Sequence, residues 1–232
     1  MFGFPPLEQG ILLERSTRFL ARVAVGRKVI EAFVPDSGRL PELLRPGVEV
    51  YLREAASRRA RRTTHDLCLV RQGATLVAVD SRLPNQMVAE ALREQALSWF
   101  CGYERVTPEP RVGRGRLDFH LSGPNRPDCY LEVKSCTLVQ DGIGLFPDAP
   151  TARGVRHLEE LTRLCSRGAR AAVLFIIQRE DANLLAPHAR VDPLFARCLR
   201  QAVDSGVEAY ALKCRVGLTG ISLGEQVPVE VT

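Results

Sequence analysis

Lysine is nearly missing from this basic sequence, which carries 3 Lys against 29 Arg in 232 residues. Paired cysteines are missing too. The seven cysteines, at 68, 101, 129, 136, 165, 198 and 214, contain no C-x-x-C pair, which argues against zinc and iron–sulfur sites and leaves small, reduced core residues. No apolar run approaches the roughly 18–20 residues of a membrane-spanning helix. The opening MFGFPPLEQG lacks the basic stretch and apolar run of a secretory signal, so a soluble, cytoplasmic protein with no membrane partner is expected. Aromatic residues make up only 6% of the chain, with one Trp. What is present is ordinary for a globular protein of one large or two modest domains: 45% apolar and 25% charged residues, 18 Gly and 15 Pro.

The net charge of +5 is unevenly spread. Residues 1–82 hold 14 Arg or Lys against 9 Asp or Glu, whereas residues 83–232 hold 18 of each. Part of the excess sits in SRRARR (57–62), where Arg58, Arg59, Arg61 and Arg62 are candidate nucleic-acid contacts. A solvated arginine run is the competing reading.

Short strands are predicted at 11–25, 28–34, 48–54, 65–71 and 74–79, broken by turn signals at Gly26, Asp36-Ser37-Gly38, Pro46-Gly47 and Gln72-Gly73. Five strands in about eighty residues suggest a small closed barrel of the OB type. Such barrels often hold single-stranded nucleic acid on stacking aromatics. Here Phe19, Phe33 and Tyr51 are few and read as core. From Pro84 the texture changes. NQMVAEALREQALSWF (85–100) has helical spacing, with Asn85 as its expected N-cap. Strands at about 116–121 and 129–135, a helix at 151–167, a buried strand at 169–178, a helix at 192–204 and a strand at 207–214 follow. The expected architecture is thus a small β-barrel (1–82) followed by a mixed-sheet α/β domain (83–232).

Three charges stand in two neighbouring strands of RLDFHLSGPNRPDCYLEVKS (116–135): Asp118, Glu132 and Lys134. A buried ion loses hydration unless a partner or metal replaces it. Alternation puts Glu132 and Lys134 on one side, about 7 Å apart. A turn through Gly123-Pro124 makes Asp118's strand their neighbour. Two carboxylates so placed can share a hard divalent cation, Mg²⁺ or Mn²⁺, and a lysine beside them can position a metal-bound water for attack on phosphorus. The competing reading is a structural Glu132–Lys134 ion pair. The rarity of lysine suggests that position 134 wants a compact point charge rather than a guanidinium fork.

Other candidates are Arg153, Arg156, His157 and Glu160, spaced to share a face of the 151–167 helix behind Thr151. They could grip a phosphate or form a solvated face. Gln178, ending a buried strand, could hold a base or a metal-bound water, or simply cap the strand.

RLDFHL, LEVKSCTL, LFPDAPTARGVRHLEEL, LFIIQRED and YALKCRVG, in this order along nearly the whole chain, resemble the sugar fermentation stimulation protein family. The resemblance implies an N-terminal OB-like domain and a PD-(D/E)XK nuclease-type domain, with Asp118, Glu132 and Lys134 matching its D…E-x-K core. It implies DNA as partner and supports Arg153 and His157 as nucleic-acid contacts. It also suggests Glu90, on the first helix, as a further acid for the metal. Two functions follow as expectations: a Mg²⁺-dependent phosphodiesterase, or a non-cleaving DNA-binding regulator of sugar metabolism on an inherited nuclease scaffold. One departure stands out. Where the family typically reads Pro-Asn-Thr/Ser-Gly, this chain has Pro35-Asp36-Ser37-Gly38, an acid that would repel phosphate. A plain turn is the competing role for that loop.

Overall fold

The computed structural model describes residues 1–55, 63–113 and 115–231. A short strand, β1 (Phe2–Gly3), precedes six longer ones: β2 (Glu8–Thr17), β3 (Leu20–Val25), β4 (Lys28–Phe33), β5 (Glu49–Glu54), β6 (His65–Gln72) and β7 (Thr75–Ala78). Strands β2 to β6 close into a five-stranded barrel, sealed where β4 meets β6 in parallel at Ala32–His65 and Phe33–Asp66. Period-two alternation fills it: Leu12, Val23, Ala32, Leu52 and Leu67 point inward and are fully buried. Leu40, Leu43 and Leu44, on a turn between β4 and β5, plug the interior. The run 11–25 is two strands, turning at Arg18-Phe19 with neither Gly nor Pro to mark it.

The second body begins with α1 (Leu83–Arg93), two residues before the expected start. Pro84 occupies the first turn, where a missing N–H costs nothing. Asn85 is therefore inside the helix rather than its cap. The helix also ends early, with Gln95 at φ 55° and a separate 3₁₀ turn at Ser98–Phe100. Then come β8 (Arg105–Pro108), the hairpin β9 (Arg111–Val112) and β10 (Gly115–Arg116), β11 (Phe119–Ser122), β12 (Cys129–Cys136), β13 (Val139–Gln140) and β14 (Ile143–Phe146). The chain finishes with α2 (Ala152–Cys165), β15 (Arg170–Ile177), β16 (Leu184–Pro187), α3 (Pro193–Asp204), β17 (Glu208–Gly217) and β18 (Gly220–Val227).

Seven strands form the main sheet in the order β1-β18-β17-β15-β12-β11-β8. β12, β15 and β17 run parallel at its centre, and the outer pairs are antiparallel. The apolar run of β15 is buried on both faces, as a central parallel strand requires. One face packs Leu131, Val133, Leu174 and Ile176 against α1 and the flank of the barrel. The other packs Val173, Phe175 and Ile177 against α2 and α3, with Phe195 at the centre. Burying each such aromatic contributes roughly 1.5–3 kcal/mol. Because β1 pairs with β18, the first residues of the chain belong to the second sheet and tie the barrel's N-terminal end to it.

The two bodies also meet at β7 and the end of β15, where the Ala78 amide donates to the Gln178 carbonyl at 3.0 Å. There Arg179 donates to Gln72 Oε1 across the junction (2.6 Å) and bidentately to Asp181 (2.6 Å each).

Candidate active site

Glu132 and Lys134 stand two residues apart on β12, opposite Val173 and Phe175 of β15, so both point toward α2. Helix α2 starts at Thr151, whose hydroxyl accepts from the Gly154 amide at 3.0 Å. Its second turn then brings His157 over the sheet. Lys134 Nζ donates to Glu132 Oε1 at 2.5 Å and lies 3.2 Å from His157 Nδ1. His157 Nδ1 also bonds Glu132 Oε1. Arg153, one turn earlier, donates Nε–H toward His157 Nε2 at 3.4 Å. This network assigns the imidazole proton to Nδ1, facing the carboxylate. All three central side chains are buried, Glu132 at only 2% exposure.

Asp118 ends the bend before β11, where Phe119 pairs with Leu131 of β12. Asp118 lies just outside that ladder, close enough to Glu132 to feel its charge. Its Oδ2 accepts the Val133 amide at 2.8 Å, and its Oδ1 accepts from Asn85 Nδ2 of α1 at 2.7 Å.

The two acids titrate in opposite directions. Burial raises Asp118 above the usual carboxylate range, and the negative charge of Glu132 raises it further. Burial would also raise Glu132, but the His157 hydrogen bond and the Lys134 charge outweigh it and hold the group below its ordinary value. The ionised form of Glu132 is therefore held by its partners. Its two oxygens differ: Oε1 takes both Lys134 and His157, while Oε2 is buried with no hydrogen-bond partner.

That pattern fits a cation. A buried, charged oxygen without a donor is costly, and two adjacent carboxylates repel. A hard cation between Asp118 and Glu132 Oε2 would answer both. Among the described residues no group of three or more His, Cys, Asp or Glu side chains could hold a metal. The seat thus offers two carboxylates, a donor set suited to an ion that keeps most of its waters, as Mg²⁺ does.

Glu90 is placed elsewhere. It is half exposed and lies 3.9 Å from the amino group of Met1, five residues and so about 140° around the helix from Asn85. The expected helix does reach the acids, but through Asn85 rather than Glu90. Gln178 is fully buried, donates to Ser135 Oγ at 3.0 Å and donates its amide N–H to the Cys136 carbonyl. Ser135 alternates to the sheet face opposite Glu132 and Lys134. Gln178 therefore caps the strand at the junction and is away from the acid pair, although its Oε1 has no partner. Arg58, Arg59, Arg61 and Arg62 lie outside the described residues. Arg153, Arg156, His157 and Glu160 do share a face, which lines a groove of about 1030 Å³ between α2 and the β9–β10 hairpin.

The aromatic reading needs correcting. Tyr51 is buried, but Phe19 is 44% exposed and stacks on Phe33 with ring centres 6.1 Å apart. Arg82 lies over the Phe33 ring at 5.9 Å. The Asp36 loop faces the second body: Asp36 Oδ1 accepts the Gly38 amide at 2.5 Å, forming the expected turn, and Asp148 reaches the same spot.

Comparison with known proteins agrees with this architecture. A family model described as the SfsA N-terminal OB domain matches residues 13–79, and one described as the sugar fermentation stimulation protein RE domain matches residues 82–220. The sugar fermentation stimulation protein homolog of Moorella thermoacetica is 49% identical over 225 residues, covering 97% of both chains. That of Chloroflexus aurantiacus is 46% identical over 226 residues, covering 97% of this chain and 86% of the other. The solved structure of Pyrococcus furiosus SfsA in complex with Ca²⁺ superposes with a TM-score of 0.91 at 29% identity, over 99% of each chain. On these matches and the fold they share, the chain belongs to the sugar fermentation stimulation protein family.

Proposed function

We propose that the chain is a divalent-metal-dependent phosphodiesterase acting on nucleic acid, DNA being the expected substrate. The observation that carries this reading is the division of labour on Glu132: one oxygen is tied by Lys134 and His157, and the other is buried without a partner beside Asp118. Asp118 and Glu132 would hold Mg²⁺ or Mn²⁺. The relative solved in complex with Ca²⁺ is consistent with a hard cation in this family.

When bound, such an ion neutralises a phosphodiester and acidifies water. The chain's own residues do the rest. Asn85 and the Val133 amide orient Asp118, so its carboxylate is fixed before any ligand arrives. His157 fixes Glu132 from the helix side. Lys134 places a positive charge where a phosphoryl oxygen would gain charge, a stabilisation worth most in a site that excludes water. Arg153 stands at the mouth, held to His157 by only a long contact, and is available to a phosphate.

The test is incubation with single- and double-stranded DNA and RNA, in Mg²⁺, in Mn²⁺ and in chelator, beside Asp118→Ala and Lys134→Ala. Metal-dependent cleavage abolished by both substitutions is the expected result. Intact nucleic acid in every lane, with a mobility shift retained, would sink the enzyme reading and leave a non-cleaving DNA-binding regulator.

A further inference from the structure

The groove beside the site carries more charge than a solvated helix face needs. Its rim holds Arg111 and Arg116 on the β9–β10 hairpin, and Arg153, Arg156 and Arg163 along α2. All five are exposed. Only Glu159 and Glu160 oppose them within the lining. Glu160 is occupied by Arg163 (2.5 Å), and Arg116 reaches Glu109 (3.0 Å) on the surface. Arg111 and Arg156 have no carboxylate partner among the described residues, so the groove offers uncompensated cations.

Their placement is linear. From Arg153 to Arg163 the helix rises about 15 Å, comparable to about four phosphate steps of one strand at 3.4 Å each. His157, the residue that holds Glu132, also lines the groove. A polyanion lying along α2 therefore passes beside His157, one hydrogen bond from Glu132. The two walls touch at one point: a Cβ on Gly113, at the hairpin turn with φ +54°, would come within 2.8 Å of Glu160 Oε1.

A second observation is independent of the groove. Phe19, 44% exposed and stacked on Phe33, which lies under Arg82, presents an outer π-face of the kind an unpaired base uses. Arg82 also immediately precedes α1, three residues before Asn85, which binds Asp118. Residues three apart on a helix are neighbours, so the platform flanks the acid pair on the α1 side as the groove flanks it on the α2 side.

We infer that the ligand of this site is a single-stranded nucleic acid, its phosphates tracked by the arginine groove and an unpaired base stacked on the outer face of Phe19. The inference takes the acid pair as a phosphodiester site only in placing the strand across it. Binding itself needs neither metal nor turnover.

The experiment is fluorescence anisotropy in chelator, on an Asp118→Asn background, with labelled 20-nucleotide DNA and RNA strands and the matching DNA duplex, between 50 and 200 mM salt. Arg111→Ala/Arg156→Ala is compared with the charge-matched control Arg93→Ala/Arg190→Ala, all checked by thermal melting. Single strands should bind at least tenfold more tightly than the duplex. The groove double variant should flatten the slope of log K against log salt by about 1.4, about 0.7 for each phosphate no longer neutralised, with the control unchanged. Phe19→Ala should weaken single-strand binding at least fivefold. The DNA and RNA arms show which backbone is preferred. A duplex bound as tightly as the strands, a groove variant that matches the control, or a Phe19→Ala chain that binds like its parent would each overturn the inference. Strand binding as described, with no metal-dependent cleavage by the unsubstituted chain, would remove the phosphodiesterase reading and leave this one standing.

Discussion

Replacing Asp36 by Asn should make the protein more stable at neutral and alkaline pH. Asp36 is buried at the junction of the two bodies, and burial, with Asp148 and Asp80 nearby, pushes its carboxyl up to about 6 from an ordinary 3.8. Two features pull the other way, the Gly38 amide and the Arg15 charge, and they do not win. Glu42, on the turn that plugs the barrel, also feels the Asp148 charge, and burial raises it as well. The closeness of the two aspartates is geometric. A methyl placed on Gly38 would lie 2.7 Å from Asp148 Oδ2 and 2.9 Å from Asp36 Oδ1.

The sign follows from proton binding. Between about pH 4 and pH 6 the folded chain keeps a proton on Asp36 that the unfolded chain has lost, so stability falls as pH rises through that window. Above about pH 7 the penalty is complete, and a shift of about two units corresponds to up to about 3 kcal/mol. An asparagine keeps the turn, since its Oδ1 can still accept the Gly38 amide. It also keeps the Arg15 contacts to the Gly38 and Asp36 carbonyls, at 2.8 and 3.3 Å, and turns an N–H toward Asp148. Thermal melts of both proteins from pH 5 to 8 should separate progressively as pH rises. The gain in Tm should be roughly 2–4 °C per kcal/mol for a chain of this size. Parallel curves across that range, or a variant less stable than its parent at pH 8, would refute the reasoning.

Other outcomes follow from the same contacts. Lys134→Met leaves Glu132 buried with only the His157 hydrogen bond, and urea unfolding should show a loss of roughly 3–5 kcal/mol, largely recovered in Glu132→Gln/Lys134→Met. Asn85→Ala removes the side-chain donor that lowers Asp118, so the acidic limb of any metal-dependent cleavage should move to higher pH while Tm changes little. Arg179→Ala breaks the link from Gln72 to Asp181 across the junction; because Asp181 is exposed, calorimetry should show a loss of roughly 1–3 kcal/mol, from the buried hydrogen-bond partners left behind.

The acid pair is legible in the sequence because buried strands reject charge, so three charges in two adjacent strands demand a chemical reason. Alternation then fixes which side Glu132 and Lys134 share, and helical spacing groups Arg153, Arg156, His157 and Glu160. What stays hidden has physical reasons. The turn at Arg18-Phe19 uses no residue that breaks strands, so two strands read as one. Asn85 looks like a cap because a polar residue before an apolar run usually is one. Its partner lies 33 residues away, where no local pattern reaches. Phe19 and Phe33 read as core because composition says nothing about which side of a barrel wall an aromatic occupies. The groove is invisible to charge counting, since residues 83–232 sum to zero while their arginines gather on one face.

The two carboxylates are held from opposite sides. Asp118 is anchored by α1, and α1 emerges directly from the barrel through Asp80 and Arg82, which are tied to each other at 2.6 and 2.7 Å. Glu132 is anchored by α2, the wall of the arginine groove. The shared strand pair fixes their spacing, but each side chain takes its orientation from a different helix. The Arg82 that lies over the Phe33 ring thus begins the helix that orients Asp118, and the Arg153 that would meet a phosphate touches the imidazole that orients Glu132. Ligand contacts on either flank are therefore one residue-to-residue step from the geometry of the acid pair. This arrangement makes a substitution outside the acids, at Asn85 or His157, the more searching test of the site: it leaves both carboxylates in place and changes only how they are aimed.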